Sequence, residues 1–209
     1  MKTILQIISE EGDILPRAFR FIVENNSSNA APYHSLHHML RVTYHCNEGC
    51  IFHNITGRRR VNLLTAAMFH DFNHSQGKEK DDYNILKALD GLNDFYLSNP
   101  LNRTNADLVT MLNIIRATQY PYVIPTEELT LEQAIIRDAD LMPSLEVDWI
   151  NTMIVGLKEE MNVDSFLDMV EGQNKFHSGI QMCSEWGKYV YDNRWEEVFE
   201  NLKLIRSLL

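Results

Sequence analysis

The stretch "VNLLTAAMFHDFNHS", residues 61–75, decides how the rest of the chain is read. Leu63, Ala67, His70 and His74 fall at spacings of four, three and four, and Leu64, Met68 and Asp71 repeat the pattern one step round. Residues three and four apart stack on one side of a helix, so the spacing predicts a helix over 61–75 whose polar residues prolong its apolar face. The two imidazoles and the carboxylate are therefore expected to point inward. A carboxylate on a core-facing stripe is destabilising unless it is paired, hydrogen-bonded or bound to a cation.

The same period runs through the chain. Apolar residues recur at i, i+3, i+4 and i+7 over 14–25, 33–53, 61–75, 80–97, 104–118, 127–142, 146–160, 163–191 and 193–208, and no stretch sustains a period of two. Turn chemistry separates these segments: "NNSSNAAP" at 25–32, "GRRR" at 57–60, "SNP" at 98–100, "YPYVIP" at 120–125 and Met142-Pro143. With 209 residues and no repeat or linker, the expectation is an all-α, compact single-domain helical bundle over 1–209.

Two further segments supply polar groups to inner faces. "YHSLHHML", residues 33–40, places His34 and His38 one turn apart at the start of an amphipathic helix. In "AIIRDADLMP", 134–143, Asp140 follows Gln133 and Ile136 along one stripe, while Asp138 follows Leu131 and Ile135 along another. Side chains converging from several helices are how a bundle builds a metal site. A lone histidine on an apolar face is more often an ordinary core residue, and His37, His45, His53 and His177 are read that way. HxxxH, HDxxH and an inward Asp together are too concentrated for packing alone.

Charge narrows the partners. Nineteen Lys plus Arg against 29 Asp plus Glu give a net charge of −10, which argues against docking on nucleic acid or an anionic membrane through bulk charge. Three cysteines, Cys46, Cys50 and Cys183, form no CxxC pair and no even framework. Cys46 and Cys50 are read as packed thiols and Arg58–Arg60 as a solvated basic turn. Acidic residues interrupt the apolar start "MKTILQIISEEGD", and no stretch is long and apolar enough to span a bilayer, so a cytoplasmic protein is expected.

The motifs resemble those of the HD-domain metal-dependent phosphohydrolases, most of all the catalytic domain of class I cyclic nucleotide phosphodiesterases. "PYHSLHHMLRV" is similar to that family's PYHNxxHAxxV, "LLTAAMFHDFNHSQG" to its LLxAAxxHDxxHPG, "IIRATQY" to its xxATD helix, "DADLMP" to its ADLSNP and "QNKF" to its QxxF. Together these cover most of residues 32–176, and the first two are the specific ones. The resemblance implies a bundle of the HD/PDEase type. It makes His38, His70, Asp71 and Asp140 the ligands of a first metal, and Asp71 a bridge to a second, mostly water-coordinated one. It also makes His34 the general acid and His74 a group near the phosphate. Tyr33, Gln173 and Phe176 become substrate-binding residues, with Gln173 on a purine edge and Phe176 stacked on the base.

Two divalent cations sharing a carboxylate acidify water and polarise phosphoryl oxygens. They also create the local positive field that an acidic chain lacks. Nitrogen and oxygen ligands admit Zn, Mg, Mn or Fe. A basic ribose alkoxide leaves more readily when protonated, which suits a histidine. The expected activity is hydrolysis of a nucleotide phosphodiester, a 3′,5′-cyclic nucleotide among the options. Hydrolysis of another phosphate ester, such as a nucleoside 5′-monophosphate or guanosine tetraphosphate, is the alternative, and a non-catalytic metal-dependent ligand sensor is the third. The chain departs from the family at Ser35 and at "HSQG", and Glu79, Asp81, Asp82 and Asn84 are unranked choices for orienting His34. Without ions, Asp71 and Asp140 would be neighbouring inward carboxylates, which predicts lower thermal stability and a raised pKa for at least one of them.

Overall fold

The computed structural model describes residues 2–10, 12–99, 104–146 and 148–209; Pro100 of the expected 98–100 break and Val147 of the expected 146–160 helix lie outside them. Helices run over Ile4–Glu10 (α1), Ile14–Asn25 (α2), Leu36–Phe52 (α3), Gly57–Phe69 (α4), Asp81–Ser98 (α5) and Asn105–Arg116 (α6). After a 3₁₀ turn at Thr126–Glu128 come Leu131–Leu141 (α7), a 3₁₀ turn at Met142–Leu145 and a π-helix at Ile150–Gly156. Leu157–Glu160 (α8), Phe166–Gly179 (α9) and Glu185–Leu208 (α10) complete the order. The chain is all-helical, with no strand among the described residues.

Every residue from Val61 to Phe69 is buried, so α4 is the central rod, packed by α2, α3, α5 and α6. A helix that is covered all round needs no polar face. Beside it, α3 packs on α7, where a Cβ on Gly49 would lie 2.6 Å from Ile135 Cγ2, and the absence of one lets the two helices meet. Phe21, Phe69, Phe72 and Phe95 form an aromatic cluster with ring centroids 5.3 to 6.0 Å apart, each such pair contributing about 0.5 to 1.5 kcal/mol beyond its buried area. Phe72 anchors the turn after α4 to this cluster.

Four boundaries differ from the periodic pattern. The helix expected over 33–53 begins at Leu36, because Ser35 caps it by accepting the N–H of His38, so Tyr33 and His34 precede the helix. "GRRR" is the first turn of α4 rather than a break. Its arginines are tied down, Arg58 to Asp107 at 3.2 Å, Arg59 to Glu132 at 2.6 Å and Arg60 to Asn47 at 3.1 Å, so the reading of a solvated basic turn is corrected. At its other end α4 stops at Phe69 instead of 75. There Asn73 adopts φ 58°, accepts from the N–H and hydroxyl of Ser27 at 2.7 and 2.8 Å, and donates its own N–H to Asn26 at 2.7 Å.

The fourth difference lies in the C-terminal third, where the segments expected over 163–191 and 193–208 are cut in another place. Buried Asp138 accepts the N–H of Cys183 at 2.7 Å and both the N–H and hydroxyl of Ser184 at 2.7 and 2.6 Å. Ser184 in turn caps α10 by accepting from Gly187 at 3.0 Å. The chain breaks there, and α10 then runs unbroken past 192.

Candidate metal centre

Four side chains from three parts of the chain meet at one point. His38 comes from the first turn of α3, His70 caps the end of α4, Asp71 follows in the turn, and Asp140 sits near the end of α7. Asp138 and Asp140, two residues and about 200° apart on α7, face opposite ways. One caps α10 and the other enters the cluster.

His38 Nε2 lies 3.3 Å from His70 Nε2, 3.0 Å from Asp140 Oδ1 and 3.3 Å from Asp71 Oδ2. His70 Nε2 lies 3.2 Å from Asp71 Oδ2 and 3.4 Å from Asp140 Oδ1. A regular tetrahedron with edges near these five has its centre about 2.0 Å from each corner, the length of a divalent ion's bonds to imidazole nitrogen and carboxylate oxygen. His70 Nδ1 donates to the Ala67 carbonyl at 2.8 Å, which leaves Nε2 as the lone-pair atom that faces the others. Asp71 Oδ2 is buried and has no hydrogen-bond partner. A buried carboxylate oxygen without a donor is what a cation would satisfy. The four residues fit a divalent ion and could hold one.

Protonation follows the same geometry. Burial opposes charge on His38 and His70, but Asp71 and Asp140 outweigh it and raise both imidazoles. Burial likewise opposes charge on the two carboxylates, and His38 and His70 still hold both below the usual range. The expected rise of one carboxylate is therefore reversed, because each faces an imidazole rather than only its fellow carboxylate.

A second cluster adjoins the first. The rings of His34 and His74 stack with centroids 3.7 Å apart, and the His34 and His38 rings are 5.8 Å apart. Glu160, at the end of α8, accepts the backbone N–H groups of Tyr33 and His34 at 3.0 and 2.9 Å through Oε2, and its Oε1 hydrogen-bonds His34 Nδ1. Burial would raise the Glu160 carboxyl, but His34 and the two amides keep it below its ordinary value. His34, His74 and Glu160 also present three donor atoms within 4.8 Å of one another and could themselves hold a cation.

Glu160 was not among the residues singled out from sequence. Of those that were, Asn84 alone enters the site, and it bonds His74 Nε2 at 2.9 Å rather than His34. Asp81 accepts from the N–H of Tyr120 at 2.6 Å, Asp82 accepts from Tyr83, and Glu79 is exposed. His74 Nδ1 accepts the N–H of Gln76 at 3.0 Å, and burial pushes its pKa down to about 4, so it is neutral at physiological pH. It therefore stands beside His34 as an uncharged ring and not as a proton donor.

Tyr33 covers the clusters, its ring 4.8 Å from that of His38. Phe176 lines a groove of about 450 Å³ with Tyr120, Tyr122, Leu141, Lys175 and Ile180. This groove is close enough to the cage that burial first, and the Asp140 charge second, raise the Tyr122 phenol. Gln173 lies on the buried face of α9 with Met169, Val170 and His177, and its Oε1 has no partner. Phe176 and Gln173 thus sit on different sides of their helix.

The remaining histidines and thiols lie apart from both clusters. His37 is exposed, and His45 is buried between Glu48 and Glu146. Cys46 and Cys50 are both buried, the latter pushed up to about 12 by burial, as packed thiols should be.

His177 is buried against Trp149 and Trp195 with neither ring nitrogen partnered, and burial pushes its pKa down to about 4. Its folded pKa lies below the unfolded value near 6.5, so the neutral ring's contribution is intact above about pH 6.5 and fades as pH falls toward 4. His177→Leu is expected to raise stability by about 1 kcal/mol at neutral pH, since it removes unpartnered polar atoms. It should also reduce the loss of melting temperature between about pH 7 and about pH 5. Thermal melts of both proteins at the two pH values check this; an unchanged acid loss would contradict it.

No protein-family model, curated protein or solved structure matches the chain. Among the described residues, no helix is long and apolar enough to cross a membrane.

Proposed function

We propose that this protein is a metal-dependent phosphodiesterase that hydrolyses a nucleotide phosphodiester, with a 3′,5′-cyclic nucleotide as the first substrate to try. The observation that carries this reading is the convergence of His38, His70, Asp71 and Asp140 around one point, with the paired His34–Glu160 beside it. Those four residues would hold a divalent ion, and Asp71 would share a second. Ions so held supply polarisation of the phosphoryl oxygens and acidification of water.

The chain's own residues do the rest. Glu160 fixes the His34 ring through Nδ1 and through the His34 amide, which leaves Nε2 to carry the proton. As a water oxygen bonds to phosphorus and the ester P–O bond breaks, Nε2 protonates the departing alkoxide; a proton from the water later restores the imidazole. Tyr33 limits water access from one side, and the aromatic groove beside Asp140 would receive the base.

The test is elemental analysis of the purified protein together with a panel of cyclic nucleotides, linear diesters and nucleoside monophosphates. Turnover of diesters is expected. His34→Asn should retain the metal and lower kcat by about 10² to 10³, the usual worth of a positioned acid. Glu160→Gln should lower kcat by about tenfold and shift the acidic or basic limb of its pH profile, as a positioning residue does. Turnover of monoesters alone would replace the reading with a nucleotidase-type phosphohydrolase. Bound metal without any turnover would replace it with a ligand sensor.

A further inference from the structure

At the end of the bundle away from the cage, α1, α3, α4 and α10 enclose a second cavity of about 1050 Å³, more than twice the volume of the groove beside Asp140. Cys50 on its wall is twelve residues beyond His38 along α3, and Arg60 is ten residues before His70 along α4. At 1.5 Å per residue those separations are about 18 and about 15 Å, so the cavity is not part of the metal centre.

Its lining has the composition of a small-molecule site, which is mostly apolar and aromatic with a few polar groups and is commonly placed between the helices of a bundle. Phe52 and Tyr189 stand with ring centroids 5.8 Å apart and planes tilted by 37°, and Trp186, Tyr44 and Ile51 continue the wall. Phe52, Tyr189 and Ile51 expose large apolar surface to it, at 45%, 59% and 67%. The carboxylates on the wall are engaged within the protein, Glu10 with Lys2 and Glu48 with His45. Arg194 on α10 and Arg60 on α4 bring guanidinium groups to the same space.

We propose that this cavity is a second ligand site, and that it takes a planar aromatic molecule bearing an anionic group. The ring faces of Phe52, Tyr189 and Trp186 would sandwich the flat body, because aromatic side chains offer stacking surface to any π-system. Arg194 would pair with a carboxylate, sulfonate or phosphate through its planar fork. A neutral apolar ligand would leave that charge unused, and a cation would meet it unfavourably. The proposal does not depend on the phosphodiesterase reading, since none of these residues touches the cage.

The probe is 1-anilinonaphthalene-8-sulfonate, a flat aromatic sulfonate, titrated into the metal-loaded protein and followed by its fluorescence. Saturable binding at one site per chain is expected. Tyr189→Ala and Arg194→Gln, both at exposed positions, should each weaken binding at least tenfold with no change in melting temperature. Leu97→Ala, on an exposed surface elsewhere, should leave it unchanged. Non-saturable binding, or an affinity that neither cavity substitution moves, would overturn the site. If the two variants do lower the melting temperature, competition decides. Displacement of the probe by 1-naphthoate but not by 1-naphthylmethylamine supports the proposal, and equal displacement by both rejects it.

Discussion

Asp71→Asn is expected to strip the protein of its divalent ion and to reduce diester hydrolysis by about four orders of magnitude, since the Lewis-acid and water-activating contributions go together. Asp71 Oδ2 is the cluster atom without a hydrogen-bond partner, 3.3 and 3.2 Å from His38 and His70 Nε2. An amide there has the shape but not the charge. Its oxygen is a weak ligand, and its NH₂ would point a donor into a ring of metal-binding atoms. Metal content by elemental analysis and initial rates on a diester are the two readouts. Full metal retention with unchanged turnover would remove Asp71 from the cage.

Removing the ion from the native protein should destabilise it in a pH-dependent way whose sign the cage dictates. The raised pKa values of His38 and His70 mean that their interactions with the carboxylates are complete below about pH 6.5 and are lost as pH climbs through the raised values. The lowered values of Asp71 and Asp140 place the acid limit below the usual carboxylate range. Protons on the imidazoles can thus stand in for a cation in mildly acidic solution but not in alkali. Metal binding, which requires those protons to leave, strengthens in the opposite direction. The melting-temperature gap between loaded and chelated protein should therefore be wider near pH 8 than near pH 6.

The largest structural effect is expected from Gly187→Ala. In an open helix that change stabilises by about 1 kcal/mol. Here a Cβ would fall 2.2 Å from Asp138 Oδ2 and 2.6 Å from its Cγ, so the carboxylate must leave the three donors of Cys183 and Ser184. Displacing a buried carboxylate from its donors costs about 3 to 5 kcal/mol, and at about 2 to 4 °C per kcal/mol the melting temperature should fall by roughly 10 °C. Gly172→Ala on α9, where nothing lies within 4 Å, provides the opposite sign in the same assay. A stabilised Gly187→Ala would mean that Asp138 does not hold the start of α10.

Much of this arrangement is legible in the sequence, and what is not has identifiable causes. The inward positions of His38, His70 and Asp140 follow from periodicity, because each lies on or at the end of a helix whose apolar face is regular. Asp71 and His74 reach the site by another route. They leave α4 and are placed by Phe72 in the aromatic cluster and by Asn73 in a left-handed turn, neither of which a helical stripe can encode. Glu160 was invisible because "LKEEMN" reads as a solvated charged end. Its inward position is set by the backbone amides of Tyr33 and His34, 127 and 126 residues earlier in the chain. The break at 180–184 was hidden for a related reason. Ile180, Met182 and Trp186 maintain apolar spacing across it, and the group that interrupts the helix comes from Asp138 on α7.

The wide turn at Ile150–Gly156 has a consequence for how this protein can change over time. Its i→i+5 bonding accommodates one residue more than an ordinary coil of equal span, the trace left by a single-codon insertion. Excising that codon would swing everything after it by about 100°. Glu160, four residues downstream, would then face away from His34. The reading frame of seven amino acids is thereby locked to the proton donor, and substitutions should accumulate in this segment far more readily than gains or losses of length.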